Sequence, residues 1–390
     1  MSDQPAGHPV PFVWQVRARN YRSIADCDVG LGGLTVLLGF NASGKSNFLD
    51  VLRFVADALE TSVVRAVASR GGLETLLHRS PAGMSESFAV RLGLSLRLPG
   101  YGEPVAARYG FEIGADPAGE APLLVRGEFG TVELPGGTVE LPLAVPGRSS
   151  RLRLPASAVE EDAPQAVLES ALRAMRFYDL DSAVLREVDE QPPRHAYLGP
   201  AGEHLGPVLG ALSGDALGKE RFDAYLSALV PGALGIQERR EGRYSTVQAR
   251  FRAGNGAGEE VFLREALSEG TLRAAGTLAA LLQPPSADRS LVAVEEPETA
   301  LHPAGVSALY EALDDAAAHI QVIVTSQSPD LLDSEYASID HIRAVANVGG
   351  VTQVGPVDAA GRAIVDKGLM SLAELHRSGQ LRPEVEDRGR

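Results

Sequence analysis

Cysteine, lysine, tryptophan and long apolar runs are all scarce in this sequence. The single cysteine, Cys27, excludes an internal disulfide and a cysteine-rich metal centre. No apolar run approaches the roughly 20 residues a helix needs to cross a bilayer, so no membrane partner is expected. The opening MSDQPAGHPVPF lacks the basic and then apolar pattern of a secretion signal, and a cytoplasmic location is expected. Lysine occurs only at Lys45, Lys219 and Lys367, and arginine carries the rest of the positive charge. Together with the abundant alanine and glycine, this fits a GC-rich coding sequence, and it makes the place of Lys45 more telling.

Acid outweighs base, with 51 Asp and Glu against 36 Lys and Arg and a formal net charge of −15. Such a chain does not draw nucleic acid from a distance, because phosphate binding relies on positive charge. Nucleic acid as a partner is left to a local basic patch and is unsupported by net charge. The 390 residues are 44% hydrophobic, enough for a large core.

Residues 12–24 are rich in β-formers and read as a strand, and 34–38 (LTVLL) as a buried strand. Residues 46–60 carry apolar residues at helical spacing. Residues 87–156 alternate between Gly and Pro punctuation and read as an antiparallel β region. Residues 160–230 read as helical, and 236–252 as a hairpin turning near Glu241-Gly242. From 262 onward strands and helices alternate: helix 270–282, strand 291–295, helix 303–318, strand 320–325 and a helix near 328–334. This is an α/β pattern with a parallel sheet, opened, interrupted and resumed. No heptad repeat is sustained, so no long coiled coil is expected. The polar end, SGQLRPEVEDRGR, reads as a flexible tail.

Three segments carry chemistry. Gly39-Phe40-Asn41-Ala42-Ser43-Gly44-Lys45-Ser46 is G-x-x-x-x-G-K-[ST] in full, between a strand and a helix. Its glycines let backbone N–H groups wrap phosphate oxygens, and the following helix aims its positive end at the same anion. Lys45 is expected on the β- and γ-phosphates of ATP and Ser46 on Mg2+. The bland alternative is a chance match in a glycine-rich chain, against which the strand–loop–helix context speaks. The second segment is Leu291-Val292-Ala293-Val294-Glu295-Glu296, an apolar strand ending in two acids. Glu295 is the candidate Mg2+ residue and Glu296 the candidate general base. A strand that simply ends in solvated acids is the alternative. The third is Leu267-Ser268-Glu269-Gly270-Thr271 before a helix. It reads either as a helix N-cap by Ser268 or as an anion site.

Taken in order, GFNASGKSN, LSEGT, VAVEEPETALHP and QVIVTSQSP resemble the RecF/SMC-like branch of ABC ATPases. The narrower likeness is to soluble ATPases carrying EEPE and LHP, relatives of the heads of OLD-like and other anti-phage proteins. ARNYRSIADCDVGLGGLTVLLG and AYLGPAGEHLGPVLGAL add to the resemblance, which spans about residues 13–345. It implies an α/β P-loop NTPase of the ABC head type, with an antiparallel β subdomain and a helical insertion. The head then divides into a P-loop part at 12–86, a β-rich subdomain at 87–156 and a helical insertion with hairpin at 157–260. The signature and switch part follows at 261–345, then an extension and tail at 346–390.

The resemblance also implies a homodimer. ATP held by Gly39, Asn41, Ala42, Ser43, Gly44, Lys45, Ser46 and Asn47 is completed by Ser268 and Gly270 of the second copy. Ala300-Leu301-His302 falls at the D-loop, although His302 reads equally well as a helix start before Pro303. Gln327 stands where many ABC proteins carry a switch histidine, and an amide carries no proton or charge, so slow turnover is expected. No Q-loop glutamine is placed, and Arg70-Gly71-Gly72 lies about where that segment begins. The 236–252 hairpin holds Arg239, Arg240, Arg243, Arg250 and Arg252 with Tyr244, either a phosphate-binding patch or a solvated face balanced by Glu238 and Glu241.

Three functions follow: an ATP-driven switch in DNA repair or anti-phage defence with a separate effector chain, an ATP-binding scaffold without hydrolysis, and a transporter's nucleotide-binding subunit. LSEGT, EEPE and the missing histidine speak against the last.

Overall fold

The computed structural model describes residues 12–81, 83–143, 149–154, 162–193, 197–254, 258–283 and 290–385. The chain opens with β1 (Val13–Tyr21) and β2 (Ile24–Gly30), an antiparallel pair. One strand is expected over 12–24. It reverses instead at Arg22, whose φ is +50°. β3 (Leu34–Leu38) follows, with every residue buried, and then α1 (Lys45–Glu60). Next come α2 (Val63–Ala68), α3 (Leu73–Leu76), the short pair β4 (Arg79–Ser80) and β5 (Gly83–Met84), and a meander. The meander is β6 (Ser87–Leu96), β7 (Val105–Gly114), β8 (Leu124–Leu134) and β9 (Gly137–Glu140).

The middle of the chain holds α4 (Pro164–Arg173), β10 (Met175–Tyr178), α5 (Ser182–Leu185), α6 (Leu205–Leu212) and α7 (Ala216–Leu229). The hairpin β11 (Ala233–Glu241) and β12 (Tyr244–Arg252) extends to β13 (Glu259–Leu263). The remainder is α8 (Glu269–Leu282), β14 (Leu291–Glu295), α9 (Pro303–Ala317), β15 (Gln321–Ser326), β16 (Ile342–Val348), β17 (Val351–Gly355), α10 (Ala359–Asp366) and α11 (Leu372–Arg377). Among the described residues α1, at 16 residues, is the longest helix, and none is long and apolar enough to cross a membrane.

Two six-stranded sheets organise these elements. The core sheet has the order β10-β14-β15-β3-β16-β17, parallel except for β17. The other, β2-β1-β6-β7-β8-β9, is antiparallel. β3 is buried on both faces, as a central parallel strand must be: Leu37 joins the core shared with the antiparallel sheet, and Leu34, Val36 and Leu38 join the core under the later helices. α1 lies between the sheets. Its Phe54 packs edge-on to Tyr21 of β1 and Phe88 of β6, with centroids 6.1 and 5.4 Å away.

Several boundaries differ from the sequence expectation. The antiparallel sheet does not begin at 87, because β1 pairs with β6 (Val16 opposite Leu92) and brings β2 with it. The run VLESALRAMRFY is not all helix: α4 ends at Arg173, and Met175–Tyr178 pair in parallel with Leu291–Val294. The core sheet does not close at 345. β16 runs on to Val348 and β17 completes the edge. The helix near 328–334 is a 3-10 turn, Pro329–Asp333. Of the expected flexible tail, residues through 385 are described, and Glu384 N–H donates to the Pro356 carbonyl at 2.7 Å. Residues 386–390 lie outside the described residues.

Candidate functional site

The site is built at the carboxyl edge of the core sheet, where β3, β14 and β15 end side by side. The Gly39–Ser46 loop leaves β3 and turns directly into α1. That helix has no side-chain cap and no acid in its first turn, so its N-terminal N–H groups stay available to an anion. Ala42 (φ +61°) and Gly44 (φ +104°) take left-handed conformations to close the loop. At Gly44 a Cβ would also meet Thr352 Oγ1 at 1.9 Å, so glycine is required twice over. A Cβ on Gly39 would meet the Val345 carbonyl oxygen at 2.2 Å. The Ser43 hydroxyl is buried with no hydrogen-bond partner, an orphan inside the loop.

Lys45 lies across this loop, 6% exposed. Its Nζ donates to the carbonyl oxygens of Gly39 at 2.8 Å and Phe40 at 3.2 Å. Burial pulls the ammonium below the usual lysine value, and the Glu296, Glu298 and Glu295 carboxylates push it back up. Ser46 Oγ donates to Glu295 Oε2 at 2.8 Å, and Arg53 of α1 holds the other oxygen at 3.0 Å. The two residues expected on Mg2+ are therefore adjacent. A hydroxyl and one carboxylate form the sparse oxygen set that suits this ion, which keeps most of its waters. Glu296 sits just past the strand at φ +43°, strained for a non-glycine residue. Its N–H donates to the Thr325 carbonyl at 3.0 Å, and its Oε2 accepts from Gln327 Nε2 at 3.2 Å. The proposed base and the proposed switch amide thus already touch. Asn41 and Ala42 stand exposed on the loop, and Asn47 Nδ2 donates to Ser23 Oγ at 2.6 Å.

The signature segment makes its contacts elsewhere. Ser268 caps α8, its Oγ accepting from Thr271 N–H at 3.1 Å. Among the described residues no hydrogen bond joins Ser268 or Gly270 to the Gly39–Ser46 loop. A Cβ on Gly270 would meet the Ala300 carbonyl oxygen at 2.3 Å, so this glycine abuts the segment leading to His302. Ala300 has φ +66°, and His302 Nδ1 accepts from Ala304 N–H at 3.2 Å, capping α9.

Arg70 is held in a different place. It pairs with Asp50 at 2.9 Å and Asp57 at 2.8 Å and lies over Phe54, while Gly71 and Gly72 turn the chain into α3. The side chain that shares Glu295 with Ser46 is Arg53, not a glutamine. In the hairpin, Arg239 pairs with Glu241, Arg240 with Glu238 and Arg250 with Glu259, which largely neutralises that face.

Sequence reasoning missed four contributors. Glu298, within EEPE, is 8% exposed; its Oε1 accepts from Ser326 Oγ at 2.5 Å and its Oε2 has no partner. Burial pushes its carboxyl above the usual range, against the Ser326 hydrogen bond. Thr352 Oγ1 donates to the Ser43 carbonyl at 3.0 Å. Arg53 and His376 are the others; of these two only Arg53 had a signal, the helical face it shares with Ser46 seven residues earlier.

A family model described as "AAA domain, putative AbiEii toxin, Type IV TA system" matches residues 34–132 and 140–333, well over half of the chain. No curated protein has a matching sequence. Among solved structures, a crystal structure of an Smc head bound to the C-winged helix domain of ScpA is similar at 14% identity and TM-score 0.57, covering 90% of this chain and 99% of that chain. An Smc head with an extended coiled coil, bound to the C-terminal domain of ScpA derived from Pyrococcus furiosus, is similar at 12% identity and TM-score 0.55. That likeness covers 92% of this chain and 100% of the other. The fold is that of a P-loop ABC-type ATPase head of the RecF/SMC-like kind.

Proposed function

The chain belongs to this AAA-domain family, and on that premise we propose that it binds and slowly hydrolyses ATP as a switch in which two copies clamp nucleotide. The observation that carries the reading is the hydrogen bond from Ser46 to Glu295, one residue from Lys45 and one residue from the Gln327-held Glu296. Lys45 exchanges its contacts with loop carbonyls for phosphate oxygens, and the uncapped start of α1 faces the same charge. Ser46 and Glu295 would hold Mg2+, which when bound would neutralise charge on the phosphates. Glu296 orients the attacking water and takes its proton. Gln327 keeps Glu296 in place and donates hydrogen bonds, but an amide takes up no proton and bears no charge, which is why turnover is slow.

Ser268 and Gly270 make no hydrogen bond to their own chain's loop among the described residues, and in this reading they complete the site of a second copy. A homodimer forms through the nucleotide sites. Closure on ATP and reopening on hydrolysis supply the conformational work. The family's description as a putative AbiEii toxin of a Type IV TA system favours a role in defence over one in DNA repair. A separate protein effector fits too, since the similar Smc heads are seen with a domain of another protein bound. The paired arginines of the hairpin speak against a nucleic-acid face there.

The test is phosphate release together with light scattering, for the wild type and Glu296→Gln. The wild type should turn over slowly. The variant should lose about 100-fold or more in kcat and persist as an ATP-dependent dimer. Two equally inactive proteins would leave an ATP-binding scaffold. A variant that never dimerises on ATP would remove the clamp.

A further inference from the structure

The carboxyl-terminal helix reaches back to the nucleotide edge. His376 of α11 is 2% exposed, and its ring stacks on Phe40, a residue of the phosphate loop, with centroids 4.9 Å apart and planes 19° apart. Its Nε2 lies 3.1 Å from the main-chain oxygen of Gln327. A carbonyl oxygen only accepts, so Nε2 carries the hydrogen and donates it. Burial lowers the imidazole's affinity for a second proton, and the nearby Lys45 and Arg377 charges act the same way. The neutral donor tautomer is therefore the one that fits.

The next residue holds the other end of the same segment. Arg377 Nη2 pairs with Asp330 at 3.1 Å and Asp333 at 2.6 Å, both in the 3-10 turn after Gln327. The helix bearing both residues is itself fixed. Ser371 and Glu374 cap it reciprocally, and Leu372, Ala373 and Leu375 are buried in the second core.

We propose that His376 is a positioning residue for the ATPase site, supplied from outside the matched family region, which holds the Gln327 segment against the phosphate loop. This rests on the ATP-hydrolysis reading above. The side chain of Gln327 steers Glu296, while its main chain is fixed by His376, and His376 is fixed on Phe40. Loosening this contact lets Glu296 and the γ-phosphate drift relative to each other. The loss should fall on the chemical step when the ring on Phe40 is kept, because Lys45 and Ser46 then hold their places.

Two substitutions separate a positioning role from a merely structural one. His376→Phe keeps a ring on Phe40 and deletes the donor. His376→Gln restores an N–H donor of similar reach. The phenylalanine variant should lose about tenfold or more in kcat, with KM for ATP and the affinity for a fluorescent ATP analogue within about twofold of wild type. The glutamine variant should recover most of that loss. Unchanged kcat in His376→Phe, a parallel rise in KM, or no recovery in His376→Gln each overturns the proposal. His376→Leu, which deletes donor and ring together, takes its place if the phenylalanine variant does not accumulate folded, and its kcat should fall at least as far. Amide hydrogen exchange across 326–334 gives a readout independent of turnover. Faster exchange in the phenylalanine variant supports the positioning role, and unchanged exchange overturns it. A wild type that turns over no ATP defeats the hydrolysis reading, and the exchange result then decides the His376 contact separately.

Discussion

Each of the two six-stranded sheets buries a glutamate, and they treat it in opposite ways. In the antiparallel sheet Glu128 of β8 accepts from Tyr109 Oη at 2.9 Å, Leu154 N–H at 3.0 Å and Arg153 N–H at 2.5 Å. Both of its oxygens are used, and it ties the 149–154 segment to the sheet. At the edge of the core sheet Glu298 uses one oxygen and leaves the other buried without a partner. Burial raises both carboxyls above the usual range. Burial is the leading cause in both, but Glu298 also faces the Glu296 charge and leaves one oxygen without a partner. A satisfied buried acid serves the fold, whereas an unsatisfied one near Lys45 is the trait expected of the proposed site.

That contrast can be broken in graded steps. The largest effect is expected from Glu128→Ala, which strands a phenol and two backbone N–H groups and should cost about 3 kcal/mol in urea unfolding, with affinity for ATP unaltered. Lys45→Ala should do the reverse. It removes the charged donor of the loop and should weaken ATP binding by about 10- to 100-fold in a titration, while the unfolding of the antiparallel sheet stays as it was. Glu298→Gln keeps the shape and removes a costly buried charge, so stability should hold or rise by about 1 kcal/mol. If it destabilised the chain as much as Glu128→Ala, the distinction between the two acids would fall.

The smallest effect is in the pH dependence. Because burial raises the Glu128 carboxyl in the folded chain, the folded state binds that proton more tightly than the unfolded one. Its contribution is fully present below the ordinary glutamate value and is lost as pH rises through the folded value. Glu128→Gln should flatten that part of a stability profile measured upward from mildly acidic pH. An unchanged slope would show that the three donors cancel the burial.

Much of the candidate site was legible because its sequence patterns are local. Gly39 to Ser46 fall within one loop, and the apolar run 291–294 followed by Glu295 and Glu296 marks a strand end. Each is a pattern whose physics acts over a few residues. Met175–Tyr178 hid inside a helical-looking run because a four-residue strand at a sheet edge carries too little periodicity to be told from a helix. β1 and β2 could not be assigned to the antiparallel sheet, since the pairing of Val16 with Leu92 lies between segments 76 residues apart. Thr352 and His376 had no signal. Neither stands in a motif, and each reaches the loop only because β17 and α11 fold back over it.

The sequence by itself determined that a phosphate loop, paired acids and a helix-capping signature occur in one order on an α/β chain. Local dihedral and hydrogen-bonding demands impose those patterns directly. Only the tertiary structure decided that Ser46 meets Glu295, that Gln327 holds Glu296, and that the last helix closes on both. Such meetings depend on sheet order and crossovers, which bring together residues 31 to 249 positions apart and leave no periodic trace in the chain.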